Sequence, residues 1–166
     1  MNKFLVLFLF VITSKTIIAQ SKKDTSFKIM ESKIFLSQKA AKQIADSAEK
    51  CAVKNKWTVS IAIVNEAGQL IYFTKMDEST NASGDIAIAK ARHTAYYRRD
   101  TKFHEDLLTK GNNLVLALPN AMPVEGGIQL IYEGKIIGAI GVSGAASTDD
   151  GKIAKAGADI LLAIKG

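Results

Sequence analysis

The sequence predicts an α+β fold in which a central antiparallel sheet of two hairpins has helices packed on its faces. Residues 58–65 and 70–75 are two apolar runs separated by a Glu-Ala-Gly-Gln turn, which indicates the first hairpin. Residues 128–132 and 136–142 flank a Glu-Gly-Lys turn, which indicates the second. Helical periodicity before, between and after the hairpins supplies the covering layers.

The first helix is predicted to begin after Ser37, whose hydroxyl is a suitable N-cap, and to end near Asn55. Its apolar stripe is made of small side chains and carries no charge, which favours close contact with a sheet. The stripe consists of Ala40, Ala41, Ile44, Ala48, Cys51 and Ala52. Because Cys51 is the only cysteine of the chain, no internal disulfide is possible, and we interpret it as a small buried residue.

The first hairpin is expected to place Val59, Ile61 and Ile63 on one face of the sheet, because side chains alternate along a strand. A polar loop then leads to a second helix, with Ser83 or Asp85 at its N-terminus. The apolar stripe of that helix includes a histidine; its members are Ile86, Ala89, His93 and either Tyr96 or Tyr97. A further short helical pattern runs from Thr101 to Gly111, and Pro119 ends the apolar run that follows.

The second hairpin has a return strand rich in glycine, at positions 138, 141 and 144. Glycine weakens a strand interior and usually marks a bulge or the close approach of another group. Since the strand also lacks a polar face, we predict a central strand covered on both sides by helices. Ser147 or Thr148 is the predicted N-cap of a final amphipathic helix that extends to Ile164.

Residues 1–19 have the layout of a secretory signal peptide: a short basic start, an apolar run over residues 4–12, and Ala19 as a small residue before Gln20. The apolar run is shorter than the roughly 20 residues that span a bilayer. Lys15 is atypical for such a segment and leaves an uncleaved anchor as the alternative. We expect export to the periplasm or the outside of the cell, a loose leader over residues 20–33, one domain over 34–166, and no stable membrane insertion after cleavage.

The net charge of +6 falls to +4 without residues 1–19, which carry Lys3, Lys15 and no acidic residue. The basic residues are spread over helix faces, so the sequence does not predict nucleic-acid binding. It also lacks the His-Glu-x-x-His, Gly-x-Gly-x-x-Gly, phosphate-loop and Cys-x-x-Cys motifs, and Ser143 is not set in a nucleophile elbow. We therefore predict no catalytic residues.

Four segments carry a family resemblance: the run GGIQLIYEGKIIGAIGVSGA followed by Asp150 and Ala154, the strand VSIAIVNEAGQLIYF, the helix DIAIAKARHTAY, and the Ala-rich first helix. Together they resemble the GlcG/HbpS family of haem-binding proteins, which is similar to the C-terminal domain of PduO-type adenosyltransferases. The resemblance covers residue 36 to the C-terminus. It implies a profilin-like or PAS-like α–β–α sandwich and a homo-oligomer, and octamers occur in the family.

The resemblance implies a haem pocket between a helix and the sheet, near the second helix and the start of the second hairpin. The axial ligand is a histidine in some members and a threonine in others, so His93 is the expected iron ligand and Thr94 its rival. The expected binding residues are His93, Thr94, Tyr97, Ile86, Met122, Gly126 and Gly127. Without the resemblance, His93 would be interpreted as a packed core histidine.

Other features near this pocket have two interpretations. The paired glycines either form a small anion-binding nest of backbone N–H groups or a simple turn. Gln129 stands where the family typically has proline, which adds a backbone donor at the pocket rim. His104 lies among charged neighbours in the sequence and is expected to be solvated. Arg92, Arg98 and Arg99 are either a solvated helix face or partners for haem propionates.

The resulting expectation is an exported protein that binds haem, or another small anionic ligand, for carriage, buffering or sensing. Any haem breakdown would be chemistry of the bound iron with an oxidant. The alternative is an accessory protein or enzyme that acts on a small carboxylate or a corrinoid.

Overall fold

The computed structural model describes residues 33–163. The signal peptide, almost all of the leader and Ile164 lie outside these residues. In chain order the elements are α1 (Gln38–Lys54), β1 (Ser60–Asn65), β2 (Leu70–Lys75), α2 (Ser83–Tyr97), α3 (Thr101–Thr109), a short 3₁₀ helix (Asn113–Ala117), β3 (Gly127–Tyr132), β4 (Lys135–Ser143), α4 (Ser147–Ala158) and α5 (Ile160–Ala163).

The four strands form one antiparallel sheet in the order β2-β1-β4-β3. Each predicted hairpin is confirmed, and the two are joined through β1 and β4, in a register that pairs Ile63 with Ile140. The glycine-rich strand β4 is therefore central, as predicted. The α+β sandwich is confirmed.

Alternation along β1 divides the core between the two faces of the sheet. Val59, Ile61 and Ile63 lie in the larger cluster with α1 and α4, while Ala62 and Val64 face α2. All five side chains have no exposed surface. The sheet is thus the middle of three layers, with α1 and α4 on one face and α2 on the other.

Glycine in β4 allows α2 to lie directly on the sheet. A Cβ atom at Gly141 would be 2.1 Å from the carbonyl oxygen of Ala87 and 2.5 Å from the amide nitrogen of Ala91. The prediction that glycine admits a helix is confirmed here. The same contact corrects the expected slot between α2 and the sheet, because at this position backbone atoms of the helix fill the space.

The helix ends predicted from the sequence are confirmed only in part. Ser37 caps α1 by accepting a hydrogen bond from the Ala40 amide at 3.2 Å, and Asn55 follows its last residue. The predicted caps of α4 are wrong, and the prediction for α2 is confirmed in part, since Asp85 lies in its first turn but Ser83 does not cap it. Ser83 lies inside α2 and its hydroxyl bonds to Ser60, and the residue before α4 is Ala146, which has no capping side chain.

The final helix is interrupted, where one continuous helix was predicted. The break follows Ala158, the last residue of α4. Beyond it the Leu162 amide donates to the Asp159 carbonyl at 3.0 Å, and the side chain of Leu161 is buried in the core. Within residues 33–163 none of the helices has the length and apolar character needed to cross a bilayer.

Candidate functional site

Two buried histidines, His93 of α2 and His104 of α3, form the centre of the candidate site, and we call them the histidine pair. Nε2 of His93 lies 2.8 Å from Nδ1 of His104. His93 has no exposed surface and His104 is 8% exposed. The expectation that His104 is solvated is therefore wrong. Its charged sequence neighbours point elsewhere around α3, while its ring faces α2.

The segment 119–125 is held beside the histidine pair by three hydrogen bonds, one of which is to the pair itself. The amide of Met122 donates to Nδ1 of His93 at 2.8 Å. The hydroxyl of Tyr97 donates to the Pro119 carbonyl, and the amide of Glu125 donates to Oε1 of Glu105 at 3.2 Å. Side chains of α2 and α3 thus hold this irregular segment in place.

Aromatic rings surround the pair. The ring centroid of Tyr97 lies 4.9 Å from that of His93 and 5.3 Å from that of His104. The ring centroid of Phe103 lies 5.1 Å from that of His104, with the two rings edge to face. Because Phe103 is 44% exposed, it connects the histidine pair to the surface. The guanidinium of Arg99 lies over the Phe103 ring, 4.6 Å from its centroid. One side of the pair is therefore an aromatic surface with a cation beside it.

Both histidines favour the neutral form. Burial, and then the neighbouring His104, lower the pKa of His93 to about 4. Burial, and then the charge of Arg99, lower the pKa of His104. Neutral imidazole is the charge state that binds iron and other metals, and both rings favour it at neutral pH.

Thr94, the rival ligand, lies beside the pair but is enclosed. Its side chain has no exposed surface, and its hydroxyl has no hydrogen-bond partner among the described residues. A Cβ atom at Gly127 would lie 2.4 Å from that hydroxyl, so β3 begins directly against it. No ligand reaches Thr94 while β3 keeps this position.

Of the two interpretations of the paired glycines, the structure does not support the anion nest. Both are buried, and the amide of Gly127 donates to the Thr101 hydroxyl at 2.9 Å. Gly126 has a φ of 130°, and a Cβ atom there would lie 2.8 Å from Nζ of Lys90. The turn interpretation holds. The backbone amide of Gln129 donates to the Asp100 carboxylate at 2.9 Å, so this added donor is already occupied within the chain.

The structure brings most of the predicted binding residues together. His93, Thr94, Tyr97, Met122 and Gly127 meet around the C-terminal half of α2. Gly126 lies next to them against Lys90. Ile86 does not join them, because it lies seven residues before His93, about 10 Å along the helix axis at 1.5 Å per residue.

A second buried group was not predicted. Nζ of Lys90 lies 2.9 Å from Oδ2 of Asp150 and 3.0 Å from the Val142 carbonyl, and both side chains are at most 3% exposed. Oδ1 of Asp150 accepts from the Ala145 amide at 3.0 Å. In the sequence, Asp150 is noted only among the residues that carry the family resemblance. A lysine on the buried side of α2 was the signal that could have identified the pair.

The described residues do not bring three His, Cys, Asp or Glu side chains together in a manner suited to a bare metal ion. The donor set of the site is two imidazoles bordered by aromatic rings. Such a set suits a metal that brings most of its own ligands, as the iron of a porphyrin does.

The lowered pKa of His93 predicts loss of stability in acid. The folded state favours neutral His93. The contribution of this group to the free energy of unfolding is therefore complete above the unfolded pKa of 6.5 and is lost as the pH falls toward 4. Between pH 7 and pH 5 we expect the free energy of unfolding to fall by about 2 kcal/mol from this group. Urea unfolding at both pH values measures the change.

The control for this prediction is His93→Gln, which cannot titrate. Its unfolding free energy should change less between pH 7 and pH 5 than that of the unmodified protein. His104 acts in the same direction as His93. The raised pKa values of Asp150 and Glu125 act in the opposite direction. Burial makes these carboxyls bind protons more readily in the folded than in the unfolded chain, so lowering the pH favours the folded state at these two groups. Equal pH slopes for the two proteins would contradict the prediction.

Comparison with known proteins identifies the family to which the chain belongs. A family model described as haem degrading protein HbpS-like matches residues 36–159. Protein GlcG of Escherichia coli (strain K12) is 37% identical over 114 residues, which cover 69% of this chain and 85% of GlcG. The structure is similar to that of Klebsiella pneumoniae protein ORFY, with a TM-score of 0.74, 26% identity, and coverage of 81% of this chain and 97% of ORFY.

A double mutant of Streptomyces reticuli HbpS has the same fold, with a TM-score of 0.72, 28% identity, and coverage of 80% of this chain and 90% of HbpS. The family model extends from the residue before Ser37 to the end of α4, and so includes every element that builds the candidate site. The chain therefore belongs to the HbpS-like family, whose description ties it to haem.

Proposed function

We propose that this chain is an exported protein that binds haem at the histidine pair, for carriage, buffering or sensing. The observation that carries the proposal is the match of the HbpS-like, haem-degrading family model to residues 36–159. The chemistry of the site supports it, since neutral imidazoles beside an aromatic surface suit a porphyrin iron and its flat ring.

His104 is the member of the pair that we propose as the iron ligand. Both ring nitrogens of His93 are occupied by hydrogen bonds inside the chain. Nδ1 of His104 faces His93, whereas its Nε2 has no partner among the described residues and is not a fully buried atom. His93 then acts as a positioning residue that orients His104 from behind, as second-layer partners of metal-bound histidines commonly do.

Phe103 and Arg99 complete the proposed site. Phe103 offers a partly exposed aromatic face next to His104, and Arg99 lies over it. A guanidinium matches a carboxylate, so Arg99 is the proposed partner of a haem propionate. When bound, haem supplies redox chemistry at its iron, and the protein supplies the ligand, the orientation and the apolar surroundings.

The surface around the site also supports self-association. Phe103, Leu114, Leu116 and Val124 are large apolar residues that are between 38% and 78% exposed. They belong to α3, the 3₁₀ helix and the segment 119–125. Contiguous exposed apolar patches mark sites of interaction with a ligand or a protein, and we propose that these residues form one surface, shared by haem and a second copy of the chain.

Haemin titration of the chain from Gln20 onward tests the proposal. We expect a saturable shift of the Soret band, with His104→Ala losing the ligated spectrum. His93→Ala should keep a ligated spectrum, since it leaves the proposed ligand in place. Mass spectrometry of the exported protein should give a chain that begins at Gln20.

The matched control is Thr109→Ala, an exposed change on the same helix, which should bind haemin like the unmodified protein. A spectrum equal to that of haemin with a non-specific carrier would refute the haem proposal. An unchanged spectrum in His104→Ala would refute the assignment of the ligand.

A further inference from the structure

The amide of Met122 fixes the position of the proton on His93. A backbone N–H can only donate, so Nδ1 of His93 must present its lone pair to it. A neutral imidazole carries one proton, which must then lie on Nε2. The ring of His93 has no exposed surface, which favours its neutral form.

The position of the proton on His93 determines the position of the proton on His104. Nε2 of His93 donates to Nδ1 of His104 across 2.8 Å, so His104 accepts there and carries its own proton on Nε2. The opposite direction would leave His93 without a proton on either nitrogen, which is an anion in a position with no exposed surface. In the structure, therefore, every ring nitrogen of the pair is either protonated or already accepting a hydrogen bond.

We propose that the Met122 amide holds the histidine pair in a tautomer that cannot bind iron, and that haem binding requires the segment 119–125 to release His93. This inference rests on the proposed haem function and adds its regulation. Iron needs a lone pair on Nε2 of His104, and the present arrangement places a proton there.

The change of tautomer balances without any other reactant than water. The proton on Nε2 of His93 passes to Nδ1 of His104, the proton on Nε2 of His104 leaves to solvent, and Nδ1 of His93 takes one proton from solvent. Each imidazole keeps one proton, and the hydrogen bond between the rings reverses. Nδ1 of His93 can take that proton only after the Met122 amide has moved away.

The segment that carries Met122 belongs to no helix or strand, so it can move without breaking one. It runs between Pro119 and Glu125, includes Asn120 in the left-handed region with a φ of 57°, and is held to α2 and α3 by the three hydrogen bonds given above. Only the bond from Met122 contacts the pair. Displacing Met122 therefore breaks no backbone hydrogen bond of the sheet or of α2.

Met122→Pro tests the inference, because proline lacks the N–H group while Pro123 already restricts position 122 to an extended backbone. Met122→Ala is the matched control, since it removes the side chain and keeps the donor. We expect Met122→Pro to bind haemin about five-fold more tightly than Met122→Ala, the gain from one hydrogen bond that no longer needs breaking. Equal affinities in the two variants would overturn the inference.

The ¹⁵N spectrum of the imidazoles in the ligand-free protein gives a second test that needs no haem. We expect the Nε2-protonated tautomer for both His93 and His104, and a population with the proton on Nδ1 of His93 in Met122→Pro. The Nδ1-protonated tautomer at His93 in the unmodified protein would overturn the inference. If the protein binds no haemin but shows the expected tautomers, the haem proposal fails while the role of Met122 in setting the protons stands.

Discussion

Lys90→Met is expected to lower the free energy of unfolding by about 3–5 kcal/mol, the range for removing one partner of a buried ion pair. Methionine fills most of the volume of the lysine but leaves the Asp150 carboxylate buried without its cation. The pair joins three elements, since Lys90 lies on α2, Asp150 on α4, and the Val142 carbonyl on β4 also accepts from Nζ. Urea unfolding at pH 7 measures the change.

Two controls separate the ion pair from the loss of a charge. Lys102→Met removes a lysine that is paired with Asp106 at the surface, and it should have little effect because exposed pairs contribute little. Lys90→Met combined with Asp150→Asn should be more stable than Lys90→Met alone, since no buried charge is left unpaired. A double variant no more stable than the single one would contradict the explanation.

The loss should also depend on pH. Burial raises the pKa of Asp150 even with Lys90 present. Without Lys90 the carboxyl should bind a proton more readily still, which removes the unpaired charge. We therefore expect Lys90→Met to lose less stability at pH 5 than at pH 7, relative to the unmodified protein at the same pH.

The fold could be predicted from the sequence because its signals are local. Alternating side chains over residues 58–65 identify β1, and the glycines of β4 indicate a strand approached closely by other groups. The cap at Ser37 and the turn at Glu133-Gly134 are likewise defined by neighbouring residues. Such patterns depend on the backbone geometry of a few consecutive residues, which the sequence states directly.

The candidate site could be predicted only in part, because its decisive contacts join distant residues. His104 has charged neighbours in sequence, but the segment 119–125, which comes from beyond the 3₁₀ helix, covers the pair. Lys90 and Asp150 are 60 positions apart. The sequence leaves the choice between nest and turn at the paired glycines open for the same reason, since the amide of Gly127 donates to the hydroxyl of the distant Thr101. No periodicity within one element contains these pairings.

Gly141→Ala is expected to lower the free energy of unfolding by about 3 kcal/mol, at the upper end of what added volume in a core costs. The new methyl group would lie 2.1 Å from the Ala87 carbonyl oxygen and 2.5 Å from the Ala91 amide nitrogen. Both atoms belong to the backbone of α2 and cannot turn aside as a flexible side chain would. Relief therefore requires α2 to move away from β4, which separates Ala87 and Ala91 from the sheet.

Gly84→Ala is the matched control, because it adds the same methyl group to α2 where the nearest atom is the Phe73 ring at 3.3 Å. That ring is 38% exposed and can shift, and alanine is the better helix former by up to about 1 kcal/mol. We expect this variant to be as stable as the unmodified protein or more so, in thermal and urea unfolding.

A second substitution tests whether backbone contact is the cause. Ala91→Gly removes a Cβ atom that would lie 3.0 Å from the new methyl group, but leaves the two closer backbone atoms in place. The combination of Gly141→Ala with Ala91→Gly should therefore recover little stability. Full recovery would mean that side-chain crowding, and not the approach of the α2 backbone, requires glycine at position 141. Because α2 also carries His93, Gly141→Ala should in addition weaken the hydrogen bond to Met122, seen as faster hydrogen exchange of that amide.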